Sequence, residues 1–187
     1  EGIKDKRLVI KLFTKTMNWY GTLEEAVGRS ITQSLVYRQK FASFIMIIPR
    51  YKYMLKLEKN LGGFGRKETY SFAFFNEEGN VKSFMIEQKR FSFGDDWSVK
   101  DATGKMVADV DGKKFDIGGQ WNVRIYHKKL AKETEFFIPL LLFASMRKFE
   151  GKVEKRISNL IKKVKNRGIV DIDKEELSLY ENPRSLK

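Results

Sequence analysis

Cysteine is absent from the 187 residues of this chain, and histidine occurs once. Without cysteine there are no disulfides, no thiolate metal sites and no cysteine nucleophile, a usage compatible with a reducing, intracellular setting. The lone His127 sits in Tyr126-His127-Lys128-Lys129 with no flanking nucleophile and no metal-ligand spacing. It reads as a surface or capping histidine, and the chain as no enzyme. No stretch reaches the ~18 apolar residues of a membrane-spanning helix, and no basic start leads into an apolar core with a small-residue cleavage site. The expectation is a cytoplasmic protein, soluble or peripheral at the membrane, with no transmembrane segment.

Positive charge, in contrast, is plentiful. Lys and Arg number 37 against 24 Asp and Glu, giving a net charge of +13. Such a surplus attracts polyanions, and the candidates are anionic phospholipid and nucleic acid. The plain alternative is a Lys/Glu-rich surface that serves solubility and ion-pair networks.

The length suits one buried domain with a terminal appendage. Leu8, Ile10 and Leu12 alternate with charged positions from Arg7 to Lys15 and predict a strand. Thr22-Leu23-Glu24-Glu25 has the form of a capping box opening a short helix to Ile31. Leu35 to Ile48 reads as a long strand stopped by Pro49, and Tyr51 to Leu57 as another. Further strands follow through Tyr70 to Phe74 and Val81 to Phe93, separated by the turn Asn76-Glu77-Glu78-Gly79-Asn80. The loop Gly62-Gly63-Phe64-Gly65-Arg66-Lys67 could cradle a phosphate with its N–H groups, but it precedes a strand and lacks a P-loop ending, which favours a hairpin loop. Asp109-Val110-Asp111-Gly112 lacks the closing Glu of a calcium loop and reads as a hairpin turn. No metal and no cofactor is implied.

One unit is written twice: Lys89-Arg90-Phe91-Ser92-Phe93-Gly94-Asp95-Asp96-Trp97-Ser98-Val99 and Lys113-Lys114-Phe115-Asp116-Ile117-Gly118-Gly119-Gln120-Trp121-Asn122-Val123. Each copy predicts strand, tight turn, strand. Phe136 to Met146 then carries no charge over three turns, so it has no polar face for water, yet it is too short to span a bilayer. Pro139 places the start of this helix near Phe136 to Pro139. The expected fold is mainly β with α: a closed antiparallel β-barrel around a central hydrophobic C-terminal helix. Beyond Gly151 comes a basic amphipathic helix, with Val153, Ile157, Leu160, Ile161 and Val164 on one stripe and Gly168 as C-cap, followed by a loosely held acidic tail. The division is 1–33, a strand and short helix packed on the barrel; 34–149, the barrel with its helix; and 150–187, basic helix and tail.

The segment Ile86 to Val99, with Asp101-Ala102-Thr103-Gly104-Lys105-Met106-Val107 after it, is similar to the strand-pair motif of LURP-one-related proteins. Tyr37-Arg38-Gln39-Lys40-Phe41-Ala42-Ser43-Phe44 resembles the opening strand of phospholipid scramblases. Together they mark a resemblance to the tubby C-terminal-like superfamily over residues ~35 to 149. The resemblance implies a barrel with a buried helix and a non-enzymatic, phospholipid-binding role. The palmitoylation and calcium segments of scramblases are missing, so calcium-driven scrambling is not implied.

The candidate anion-binding residues are the paired cations Arg38/Lys40, Lys89/Arg90, Lys113/Lys114 and Lys128/Lys129, which recur at similar strand positions, with Lys152, Lys155, Arg156, Lys162 and Lys163 on the basic helix. If neighbouring strands bring the pairs together, they form one positive strip. The plain alternative is that each pair is the solvated face of its strand. The leading expectation is docking on an anionic phospholipid membrane, with the helix laying its apolar stripe at the headgroup boundary. A nucleic-acid or ribonucleoprotein association, or a protein partner held by the 152–168 helix, are the alternatives.

Overall fold

The structure, a computed structural model, describes residues 6–60, 68–89, 95–112 and 121–181. Nine strands follow one another as a meander, each paired antiparallel with its neighbour in sequence: β1 (Val9–Phe13), β2 (Trp19–Glu25), β3 (Ser43–Ile47), β4 (Leu55–Asn60), β5 (Thr69–Phe75), β6 (Val81–Gln88), β7 (Asp95–Asp101), β8 (Met106–Gly112) and β9 (Trp121–Ile125). Among the described residues four α-helices accompany them, α1 (Val27–Tyr37), α2 (Thr134–Arg147), α3 (Glu150–Arg167) and α4 (Lys174–Ser178), with a single 3-10 turn at Leu130–Lys132. Period-two patterning decides the faces. In β5, Tyr70, Phe72 and Phe74 are buried, and the residues between them are only partly covered.

The sheet is open, which corrects the expected closed β-barrel. Among the described residues β1 and β9 are its two edges and do not pair with each other. Both margins instead turn side chains onto α2, which touches β1, β2, β8 and β9. Their apolar faces are thus covered without an edge-to-edge ladder. Exposed charges, Lys11 on β1 and Arg124 on β9, mark the unpaired edges, a usual protection against edge-to-edge association.

The uncharged helix lies in the core. Phe136, Leu140, Leu142, Phe143 and Met146 of α2 are fully buried, and ring contacts bind them to the sheet: Phe136 to Phe84 at 4.7 Å and Phe143 to Trp97 at 5.2 Å. Gly21 on β2 admits the helix closely, since a Cβ there would lie 2.7 Å from Ile138 Cγ2. The helix begins at Thr134, earlier than Pro139 suggests. Pro139 therefore lies inside it, and the bond it cannot donate would have gone to Glu135, in the first turn and partly exposed.

Several local expectations fail for tertiary reasons. Thr22 and Glu25 belong to β2, not to a capping box: the Thr22 hydroxyl accepts from Trp19 Nε1 at 2.9 Å, and Glu25 is drawn into the core by partners remote in sequence. Leu35 to Tyr37 finish α1, which stops where Arg38 takes a left-handed conformation at φ 55°, so the strand begins only at Ser43. Tyr51 to Met54 form a loop before β4, because Tyr51 is anchored crosswise through its hydroxyl to the Phe75 backbone. Asp109 to Gly112 lie within β8 instead of forming a turn. Gly151 is inside α3, and the break from α2 comes at Lys148 and Phe149.

The tail is held as far as it is described. Asp173 accepts from Arg7 Nε at 3.1 Å, and Glu176 accepts from the Gly28 N–H at 2.8 Å, capping α1, whose own N-cap side chain makes no such bond. The glycine-rich loop, residues 90–94 of the first repeat copy and residues 113–120 of the second lie outside the described residues, while Asp95 and Asp96 of the first copy open β7.

Candidate functional site: the two ends of the sheet

Because every strand reverses its predecessor, the molecule has two distinct ends. At the helix end, odd strands begin and even strands finish, and α1 and α3 pack across this end. At the hairpin end lie the turns 14–18, 48–54, 76–80 and 102–105, with the segment 126–133 that enters α2. A strand of eight residues separates the ends by roughly 27 Å.

The helix end holds most of the cations expected from sequence. The apolar stripe of α3 faces inward: Val153 and Ile157 join the main core, and Leu160 packs with Val27 and Ile31 of α1. The expected insertion of this stripe into a membrane is therefore excluded by its packing, since the stripe is already the lid of the sheet. Arg156 is drawn in with it, pairing with the fully buried Glu25 and donating to the Lys6 carbonyl at 2.6 Å. Lys40 pairs with Glu154 at 3.7 Å and Lys89 with Asp109 at 2.8 Å. The exposed outer face of α3 consists of Lys, Arg, Asn and Gly alone, Lys152, Lys155, Lys162 and Lys163 among them, because Glu150 and Glu154 turn inward. Arg38 is exposed at the end of α1. Arg90, Lys113 and Lys114 lie outside the described residues. Lys128 and Lys129 stand at the opposite end, so the expected pairs are not one continuous strip.

Glu68, Glu150 and Glu154 bring carboxylate oxygens within 4.8 Å of one another, a spacing that could hold a metal ion. The position is taken: Lys59 Nζ lies 2.6 Å from Glu68, 3.1 Å from Glu150 and 2.8 Å from Glu154. Arg147 pairs with Glu150 and reaches Asp95 at 3.1 Å, and the Tyr70 hydroxyl also bonds to Glu150. Burial raises the Tyr70 hydroxyl well above the usual phenol range and outweighs the opposing pull of Arg147. Burial also opposes ionisation of Glu154, yet the hydrogen bond and charge of Lys59, with Lys40 and Arg147, hold its carboxyl below the usual range. This network ties β4, β5, α2 and α3 together. Its groups satisfy one another.

The hairpin end was not foreseen. Sixteen large apolar side chains are exposed among the described residues, and nine of them gather here: Phe13, Met17, Trp19, Tyr53, Met54, Phe75, Val81, Met106 and Tyr126, between 40% and 76% exposed. Five of them are neighbours. Phe13 and Trp19 are register partners, as are Phe75 and Val81, and the Tyr53 and Phe75 rings lie 5.2 Å apart. Single exposed apolar residues are ordinary, but an arc of aromatic and aliphatic side chains on one end of a molecule is not. Around it stand the exposed cations Lys15, Arg50, Lys52, Lys105, Lys128 and Lys129, against the exposed carboxylates Glu77 and Glu78. Met17 holds a left-handed conformation at φ 60°, which presents its side chain at the tip of the β1–β2 turn, 76% exposed. The available sequence signal was the placing of Met17, Met54 and Tyr53 in turns, where polar residues are usual.

His127 lies beside this arc and accepts a long hydrogen bond at Nδ1 from the Leu130 N–H, 3.4 Å. No nucleophile is bonded to it among the described residues. No helix of the described residues is long and apolar enough to cross a membrane. No family model matches the chain, and neither the curated proteins nor the solved structures contain a match.

Proposed function

We propose that the protein is a non-enzymatic module that docks on an anionic phospholipid membrane with the hairpin end of its sheet. The observation that carries this reading is the arc of nine exposed apolar side chains ringed by cations. Trp and Tyr favour the depth of lipid headgroups, where the ring body is dry and the polar edge wet, while Phe, Met and Val reach the acyl boundary. Each lysine or arginine near an anionic surface adds about 1 kcal/mol at physiological ionic strength. Apolar and electrostatic contributions thus meet on the same end of the molecule. A nucleic acid would use the cations but gain little from Met17, Met54 or Val81.

Sedimentation with vesicles of phosphatidylcholine and phosphatidylserine tests this. The double variant Met17→Asp/Phe75→Asp should lose at least tenfold in binding, while Lys155→Glu/Lys162→Glu on α3 should lose little. Binding that follows the α3 variant and ignores the hairpin variant would refute the reading, and co-purified nucleic acid released by that same α3 variant would replace it.

A further inference from the structure

At the hairpin end, between the start of β6, the β7–β8 turn and the segment 127–133, the surface sinks into a cavity of about 320 Å³. This is within the size range of small-ligand sites. Phe84, Val107 and Leu130 are among its apolar lining, and all three are buried. Its polar lining is divided in charge. Lys129 and His127 come from the segment that leads into α2 and Lys82 from β6; Glu133 comes from the end of that segment, and Asp101 from the opposite turn.

His127 accepts at Nδ1 from the Leu130 N–H, which leaves Nε2 to carry the ring proton as a donor. Asp101 is kept ionised by three donors of its own turn, the Thr103 hydroxyl at 2.6 Å, the Thr103 N–H at 2.9 Å and the Lys105 N–H at 3.1 Å. Lys82 lies 2.6 Å from Glu133 Oε1, while Glu133 Oε2 is buried without a hydrogen-bond partner among the described residues. A carboxylate oxygen in that condition lacks a donor that the protein does not supply.

We propose that this cavity binds an amine-bearing phosphodiester, with its phosphate on Lys129 and His127 Nε2 and its ammonium toward Glu133 and Asp101. The inference rests on the membrane-docking reading for the source of this ligand, the headgroup of an ethanolamine or serine phospholipid in the surface that the hairpin end meets. Val81, which lines the cavity, is part of the apolar arc, so a headgroup there stays joined to chains at the acyl boundary. A primary ammonium can donate hydrogen bonds to the two carboxylates. A trimethylated one cannot, and it is bulkier.

Because the chain has one histidine, a single imidazole resonance reports on the cavity. Titrating the full chain with glycerophosphoethanolamine should move the His127 Hε1 signal saturably at millimolar concentrations. Glycerophosphocholine and inorganic phosphate should need at least tenfold more. Glu133→Gln should erase the preference for the primary amine. Ala102→Trp, a substitution at an exposed lining position, should block the cavity without touching the core. On vesicles of fixed anionic charge, replacing phosphatidylcholine by phosphatidylethanolamine should strengthen binding, and Ala102→Trp should remove the gain. Equal shifts with the choline and ethanolamine compounds, or no shift with either, would overturn the inference even if vesicles bind. A selective shift without vesicle binding would uphold the cavity as a site for the soluble compound and defeat the membrane reading alone.

Discussion

Replacing Arg156 with Met should unlatch α3 from the sheet. Arg156 pairs with Glu25, a carboxylate that is 0% exposed and otherwise accepts from the Leu8 N–H at 3.0 Å. Methionine keeps the length and apolar stem of arginine, so what it removes is the charge partner and the bond to the Lys6 carbonyl. Removing one member of a buried pair costs about 3–5 kcal/mol, because the other charge remains dehydrated. The lower figure applies here, since the Arg156 side chain retains 13% exposure and the Leu8 N–H still serves Glu25. For a chain of this size, about 3 kcal/mol lowers Tm by roughly 6–12 °C. Differential scanning calorimetry of the single variant and of Glu25→Leu/Arg156→Met reads the effect, and the double variant should recover most of the loss because no charge is left buried. A single variant within about 2 °C of wild type, or a double variant no better than the single, would refute the reasoning.

Gly21→Val should destabilise by about 2–4 kcal/mol in urea unfolding, because Ile138 must move from under the new side chain; wild-type stability would mean that α2 does not sit so close to β2. The tail should respond to pH through Glu176. Burial raises its carboxyl above the ordinary value of 4.5, against the pull of the Gly28 N–H and the Tyr180 hydroxyl. A raised folded value means that the ionised form is disfavoured in the folded state, so tail docking strengthens as pH falls from neutral through that value. Glu154, with a depressed value, acts in the opposite sense: its contribution is present above pH 4.5 and is lost as pH falls through its folded value. The protection factor of the Gly28 amide should therefore rise on mild acidification, and Glu176→Gln should flatten that rise. A fall on mild acidification would contradict this assignment.

How much could be read from the residues themselves depended on whether local pattern or remote contact decided the outcome. The alternation of Tyr70, Phe72 and Phe74 and the uncharged run from Phe136 to Met146 specify a strand and a buried helix by composition alone, and both are present. Closure is another matter. Nothing local says whether a last strand will pair with a first, and here the margins β1 and β9 are covered by α2 instead. Thr22 and Glu25 carry a helix-start pattern that tertiary partners override, Trp19 taking the hydroxyl and Arg156 the carboxylate. The basic stripe on α3 was legible as amphipathic, but not which way its apolar side would face. The exposed arc went unseen because its members are scattered over five turns and strand ends, and only the meander brings Met17, Tyr53, Phe75, Met106 and Tyr126 to one end.

The central claim is that the hairpin end enters the lipid interface, and Trp19 is placed to report it. It is 43% exposed at the start of β2, whereas Trp97 is fully buried against α2 and Trp121 is partly buried. Mixed with phosphatidylserine vesicles that carry brominated acyl chains near the headgroup, the protein should show quenched tryptophan emission and a blue shift, both lost in Trp19→Phe. Vesicle binding with Trp19 unquenched and unshifted would contradict the account.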